Sequence, residues 1–205
     1  MNRTVGLATA ALGLVVLALA CSDSSAPDIP IKPPADLRVI QLPQAHPPLV
    51  SDTVSFVAVK GQSAQGSIFF AGGEGESDDE YVRLTLDGSS LLAYPDGTPM
   101  VDGDSVRITL RVVSSDSILF QFEPSGLAFD PSHPARLRIR YNQCNGDYND
   151  DHHVDQTDTE ILGQMAIWRQ PLLSDPYTRL GSVRIGEEDG IEANLTGFSR
   201  YAIAY

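Results

Sequence analysis

The chain has 205 residues, with 14 Lys and Arg against 27 Asp and Glu, a formal net charge of −13, and 2 Cys. This acid excess excludes a nucleic-acid partner, whose affinity would come from Lys and Arg neutralising phosphate, and an electrostatic hold on anionic lipid. It permits cation binding and favours solubility. Two cysteines make neither a disulfide framework nor a thiolate cluster for zinc.

Residues 1–20 read as an export signal. Arg3 precedes the apolar run Val5 to Ala20, and the small residues Ala18 and Ala20 lie just before Cys21. Ending such a run on Cys resembles the lipobox of bacterial lipoproteins, in which the peptide is cut before the Cys and the Cys carries lipid. This chain has Ala18 where that family usually places Leu, with Leu19 following. The resemblance implies lipidation of Cys21 and a membrane anchor of several buried chains. Ser22, rather than Asp, after the Cys implies the outer membrane. The expected location is therefore the cell envelope, outside the cytoplasm. Two alternatives are a secretory signal cut near Ala20 and a short transmembrane anchor, for which the run is at the lower edge of length. Removing the signal takes away Arg3 and leaves 13 basic against 27 acidic residues, a net charge of −14. With Cys21 lipidated, Cys144 has no partner; otherwise a Cys21–Cys144 bridge would tie the linker to the domain.

Residues 21–50 read as a tether. Seven prolines fall there, Pro27, Pro30, Pro33, Pro34, Pro43, Pro47 and Pro48, and proline favours a semi-stiff extended chain. Such a spacer would hold a domain several nanometres from the membrane, at about 3 Å per residue. Leu37 to Leu42 offers the alternative of a first strand.

Residues 51–205 form the expected domain, and its pattern is period two. Val54, Phe56 and Ala58 alternate with polar or small neighbours, as do Val82, Leu84 and Leu86, then Val106, Ile108 and Leu110. Ile118, Phe120 and Phe122, then Leu137, Ile139 and Tyr141 continue it, followed by Met165 and Ile167, Val183 and Ile185, and Tyr201 and Ile203. Asp87-Gly88, Asp96-Gly97, Asp102-Gly103 and Asp189-Gly190 supply turns. Short alternating strands with such turns predict an all-β fold, an antiparallel β-sandwich. One face of each sheet would be buried and the other wet.

Two stretches are more specific. Phe122-Glu123-Pro124-Ser125-Gly126-Leu127-Ala128-Phe129 leads through Pro134 into Ala135 to Tyr141, and Leu195-Thr196-Gly197-Phe198-Ser199-Arg200-Tyr201-Ala202-Ile203 closes the chain. Together they resemble the ZU-five domain, a β-sandwich of ankyrins, netrin receptors and bacterial surface proteins. The residues also have a direct physical reading. Pro124 and Gly126 make a tight turn, Pro134 starts a strand where its missing donor costs nothing, and the aromatics fill a core.

Some members of that family cut their own chain at a Phe-Ser bond, with a preceding histidine as base. The matching bond is Phe198–Ser199, and the base position holds Gly197. A serine hydroxyl needs a positioned base, so activation would fall to His133, His152 or His153 brought in by the fold. No nucleophile elbow or phosphate-binding glycine loop is present. The chain is therefore read as a non-enzyme.

The remaining chemistry lies in 147–158. Asp147, Asn149, Asp151, Asp155 and Asp158 take positions one, three, five, nine and twelve, with Val154 at eight. That is the spacing of a calcium loop, and it resembles the dockerin version, which ends in Asp. The expected calcium ligands are those five side chains and the His153 carbonyl. His152 stands at position six where the turn wants Gly, and Gly163 to Gln170 alternate like a strand rather than an exit helix. The alternatives are a solvated acidic hairpin and zinc on His152 and His153, which needs a third ligand such as Cys144.

The expected protein is a lipid-anchored envelope protein with a non-catalytic interaction or structural domain. Its partners are the membrane and a protein or envelope component. A self-cleaving domain and a calcium-dependent adhesion module are the competing readings.

Overall fold

The structure, a computed structural model, describes residues 29–205. The export signal, Cys21 and the first part of the expected tether lie outside the described residues. In chain order the strands are β1 (Ile31–Lys32), β2 (Thr53–Val59), β3 (Ala64–Phe70), β4 (Asp79–Leu86), β5 (Leu91–Ala93), β6 (Ser105–Val112), β7 (Leu119–Glu123) and β8 (Ala128–Phe129). There follow β9 (Ala135–Arg140), β10 (Ala166–Gln170), β11 (Tyr177–Arg179), β12 (Ser182–Ile185), β13 (Gly190–Leu195) and β14 (Arg200–Ala204). Among the described residues there is one α-helix, α1 (Gln156–Gln164).

The strands form two main antiparallel sheets, as the alternation predicts. One has seven strands in the order β1-β11-β10-β14-β7-β6-β2, the other five in the order β12-β13-β9-β4-β3, and β5-β8 is a separate pair. Hairpins such as β3-β4 and β6-β7 stay within a sheet. The chain passes between the two main sheets six times, first between β2 and β3 and last between β13 and β14. Inward residues of both sheets make one core, including Ile108, Phe120, Phe122, Tyr201 and Ile203 from the first and Leu84, Leu137, Ile139 and Ile191 from the second. Phe122 stacks on Phe198 at 5.4 Å and meets Tyr201 edge-on at 5.4 Å. The aromatic residues of the two specific stretches are thus packing residues.

Three expectations change. The first is the tether. Residues 30–50 belong to the sandwich rather than to a spacer. Ile40 is fully buried; its amide donates to the Ile203 carbonyl at 2.9 Å and its carbonyl accepts from Ile118 at 3.0 Å. Leu37 joins Trp168, Tyr177, Ala202 and Ala204 in a second apolar cluster. His46 lies 5.6 Å from the Phe70 ring and reaches the Ser115 carbonyl. Burying Leu37 and Ile40 stabilises this attachment by roughly 1.5–3 kcal/mol per side chain, enough to outweigh the extended preference of the prolines around them.

The second is β3, which period two did not mark. Its first half, Ala64-Gln65-Gly66-Ser67, carries no large apolar residue. Gly66 is needed because a Cβ there would overlap the Phe56 ring, which lies across it. The third is α1, which stands where a strand-like exit was expected. Asp155 is its N-cap and forms a reciprocal capping box with Asp158, which satisfies first-turn amides. The strand starts only at Ala166.

Candidate functional site

The acidic loop connects the end of β9 to α1. A short 3-10 turn, Asn142–Cys144, leads into it. Asn145 at φ 53° and Gly146 at φ 88° then turn the chain sharply. Asp79 anchors this entry, accepting from Asn142 Nδ2 at 2.6 Å and Gln143 Nε2 at 3.2 Å. Tyr148, at loop position two, is buried and meets Tyr141 edge-on at 5.8 Å. Burial pushes its hydroxyl pKa up to about 12.

Inside the loop, acidic side chains fold back onto backbone amides. Asp147 accepts from the Asp151 amide at 3.3 Å and the His152 amide at 2.9 Å. Asn149 Oδ1 also accepts from Asp151, at 3.2 Å, and Asn149 Nδ2 donates to Asp151 Oδ2 at 2.9 Å. Asp151 Oδ1 accepts from His153 at 2.9 Å. His152 has φ 68°, the left-handed conformation that glycine adopts most cheaply. The backbone turn that position six demands is present without the glycine.

The far end is a different device. Asp158 is 2 % exposed; its oxygens accept from the Tyr148 amide at 2.7 Å and the Asp155 amide at 2.9 Å. Hydrogen bonds from Asp155 and then Tyr148 hold its carboxyl below the ordinary range. Asp155 spends one oxygen on the Thr157 amide at 2.7 Å. Of the expected ligand side chains, Asp147, Asn149 and Asp151 meet around the Asp151 amide. Asp155 and Asp158 meet at the head of α1. Val154 at position eight stays 68 % exposed, so it does not enter the core.

One grouping of carboxylate and imidazole atoms differs from the expected set. Asp147, Asp150 and His152 have such atoms within 4.8 Å of one another. Asp150 sits at position four with φ 56°. No sequence signal separates it from its neighbour Asp151. A carboxylate has about four lone-pair sites, so each that accepts one or two amides keeps acceptor capacity for a hard cation. Cys144 does not join His152. Its buried thiol donates to the Gln41 carbonyl at 3.5 Å, and burial pushes its pKa up to about 12.

The Phe198–Ser199 bond is buried. Arg169 Nε donates to Ser199 Oγ at 2.8 Å, and the Tyr201 hydroxyl donates to the Gly197 carbonyl. Gly197 packs tightly, since a Cβ there would lie 3.1 Å from the Leu127 carbonyl. A guanidinium stays protonated in proteins and takes no proton. His133 is half exposed beside Asp130, and His152 and His153 are exposed in the acidic loop.

No protein family matches this chain, and no curated protein or solved structure does either.

Proposed function

We propose that this is a lipid-anchored protein of the cell envelope whose β-sandwich is a non-catalytic interaction domain braced by a calcium loop. One observation supports the loop most. The Asp147 carboxylate takes the amides of positions five and six, His152 at six is left-handed, and α1 opens at position ten. A calcium loop uses that arrangement of first ligand, sharp turn and exit helix. Oxygen donors from Asp147, Asn149, Asp151 and Asp158, with the His153 carbonyl, would hold the ion. The ion would tie the end of β9 to α1. The ZU-five reading of the sandwich is part of the same proposal and rests on the Pro124–Gly126 turn and the closing Leu195–Ile203 stretch.

The anchor reading gains a geometric consequence. Packing begins by Ile31, which pairs with Thr178. Cys21 then lies eight residues before Ile29, a reach of at most about 28 Å. The domain would sit close to the bilayer rather than far out on a spacer. Cys21→Ser should move the protein out of the membrane fraction; unchanged sedimentation with membranes refutes the anchor. The chain should stay in one piece, because the group on Ser199 Oγ is a guanidinium. A purified fragment beginning at Ser199 refutes that.

The calcium reading is tested by thermal melting of the full-length chain in chelator and in millimolar calcium. Binding to the native state alone adds about 2.7 kcal/mol at a hundredfold excess over Kd. Wild type should gain melting temperature with calcium, and Asp147→Ala with Asp158→Ala should not. Identical curves with and without calcium leave a metal-free loop between β9 and α1.

A further inference from the structure

The outer face of the seven-stranded sheet is divided. The half over Trp168, Ala202 and Ala204 is covered by Leu37. The next row along the same strands is open. In that row Arg111 pairs with Gln121, Gln121 with Arg200, and Arg200 with Gln170. Neighbouring strands are about 4.8 Å apart, so the two arginines flank Gln121 across about 10 Å. The row floors a cleft of about 300 Å³, with Leu172 and Leu173 at its rim.

Three features of this cleft suit it to a partner. First, neither arginine has a carboxylate within 4 Å among the described residues, although acids outnumber bases two to one. Second, Gln170 is 2 % exposed and its Oε1 has no hydrogen-bond partner among the described residues. Its Nε2 is already spent on the Leu173 and Asp175 carbonyls, each at 3.0 Å, so the amide cannot turn over. A buried acceptor left unmade is costly; this one lies beneath the surface, so it fixes the wall of the cleft and is not itself a contact. Third, Leu172 and Leu173 are 65 % and 70 % exposed, side by side on a loop fixed by those same Gln170 bonds and by Asp175 accepting from the Leu172 amide at 3.2 Å. They form an apolar rim on a rigid support.

We propose that this cleft binds an acidic peptide segment, with carboxylates on Arg111 and Arg200 and an apolar side chain against Leu172 and Leu173. Charge complementarity selects the class, because guanidiniums recognise carboxylate and leave its other partners free. Glu123 on the rim accepts a backbone N–H. A peptide supplies carboxylate, N–H and apolar group together, whereas an acidic saccharide offers no apolar side chain for the leucines, and the cleft has no aromatic face to stack a sugar. This names a partner for the interaction role proposed above and rests on that reading; it does not need the calcium loop or the anchor.

The test is fluorescence anisotropy on the full-length chain in detergent, with a short labelled peptide alternating Glu and Leu. Saturable binding is expected, weakened at least about tenfold, or 1.4 kcal/mol, when Gln replaces Glu in the peptide. Arg111→Gln with Arg200→Gln should weaken it as much, and Leu172→Ser with Leu173→Ser should weaken it too. Arg136→Gln, on the other sheet, should leave it unchanged. Equal affinity for the Glu and Gln peptides overturns the proposal, as does an unaffected arginine double variant. Polygalacturonate binding through the arginines in place of the peptide also overturns it. Because the Gln-for-Glu comparison uses wild-type protein, a misfolded variant cannot decide the outcome. Failure here with Cys21-dependent fractionation and a calcium-dependent melt intact would remove the peptide site alone.

Discussion

The two sheets carry arginine at the same kind of position and treat it differently. On the five-stranded sheet, Arg83, Arg136, Arg138 and Arg140 all point outward from β4 and β9, and each has a carboxylate. Glu80 pairs with Arg83 at 2.7 Å, Glu192 with Arg136 at 3.8 Å, Glu188 with Arg138 and Asp79 with Arg140. Arg83 and Arg138 face each other directly across β4 and β9, a like-charge pairing that destabilises a sheet unless neighbouring acids offset it, as Glu80 and Glu188 do. On the seven-stranded sheet, one half of the outer face is an apolar seat for Leu37, and Arg111 and Arg200 on the other half have no carboxylate within 4 Å among the described residues. The four arginines of β4 and β9 on the first face are charge-paired by the chain itself. The second face is finished by an N-terminal segment over one half and left open over the other.

The comparison breaks most visibly if the N-terminal segment is not part of the fold. A chain beginning at residue 51 loses Leu37, Ile40 and Leu42 and uncovers Trp168 and Ile203. It should fail to unfold cooperatively in urea, whereas a chain beginning at residue 29 should give a single sharp transition. Equal midpoints for the two would return residues 30–50 to the role of a spacer. Next in size is Leu37→Ala, which empties the apolar seat. It should lower stability by about 2–3 kcal/mol, the low end for a buried leucine, because Leu37 is 8 % exposed. Arg111→Gln on the open half of the same sheet should change stability by less than about 0.5 kcal/mol. Urea midpoints of the two variants measure that contrast.

Alternation made the sheets legible because each strand has one wet face and one buried face, and the residue spacing records it directly. It placed β2, β4, β6, β7, β9, β10, β12 and β14. It missed the short strands β1, β5, β8 and β11, the central β13, and β3, where Gly66 makes room for Phe56, a requirement set by a side chain on another strand. Proline content misled about residues 30–50, because proline reports local stiffness while Leu37 and Ile40 report what a distant surface lacks. In the loop, the one-three-five spacing of Asp147, Asn149 and Asp151 foretold that they meet. The helix after it was hidden, since Asp155 and Asp158 were read as ligands and are also cap and capping-box partner. The open arginine row left no mark in the sequence at all. Whether Arg140 or Arg111 finds a carboxylate depends on residues such as Asp79, 61 positions away.

The head of α1 gives the next effect, and acid reveals it. Asp158 has its carboxyl held below the ordinary range by the Asp155 and Tyr148 amides. A depressed folded value means the group stabilises the fold above its unfolded pKa of about 3.9, and this contribution is lost as pH falls through the folded value. Asp158→Asn should cost about 1 kcal/mol near neutral pH, the scale of a lost cap interaction, and the gap to wild type should narrow in strong acid. Urea melts across that range measure the gap. A constant gap would mean that Asp158 acts by shape alone.

The smallest expected effect is the most direct measure of the difference between the faces. Arg140 and Asp79 are both about a quarter exposed, so water screens their attraction and the pair should be worth about 0.5–1 kcal/mol. A double-mutant cycle of Arg140→Gln and Asp79→Asn isolates that coupling from the rest of each side chain's work. Asp79→Asn alone should cost more than Arg140→Gln, because Asp79 also accepts from Asn142 and Gln143 at the entry to the acidic loop. The same cycle on Arg111→Gln and Glu123→Gln should give no coupling, since those two are not within ion-pair distance. If the second cycle couples as strongly as the first, the arginines of the open row are already paired in solution. The two faces would then differ only in packing.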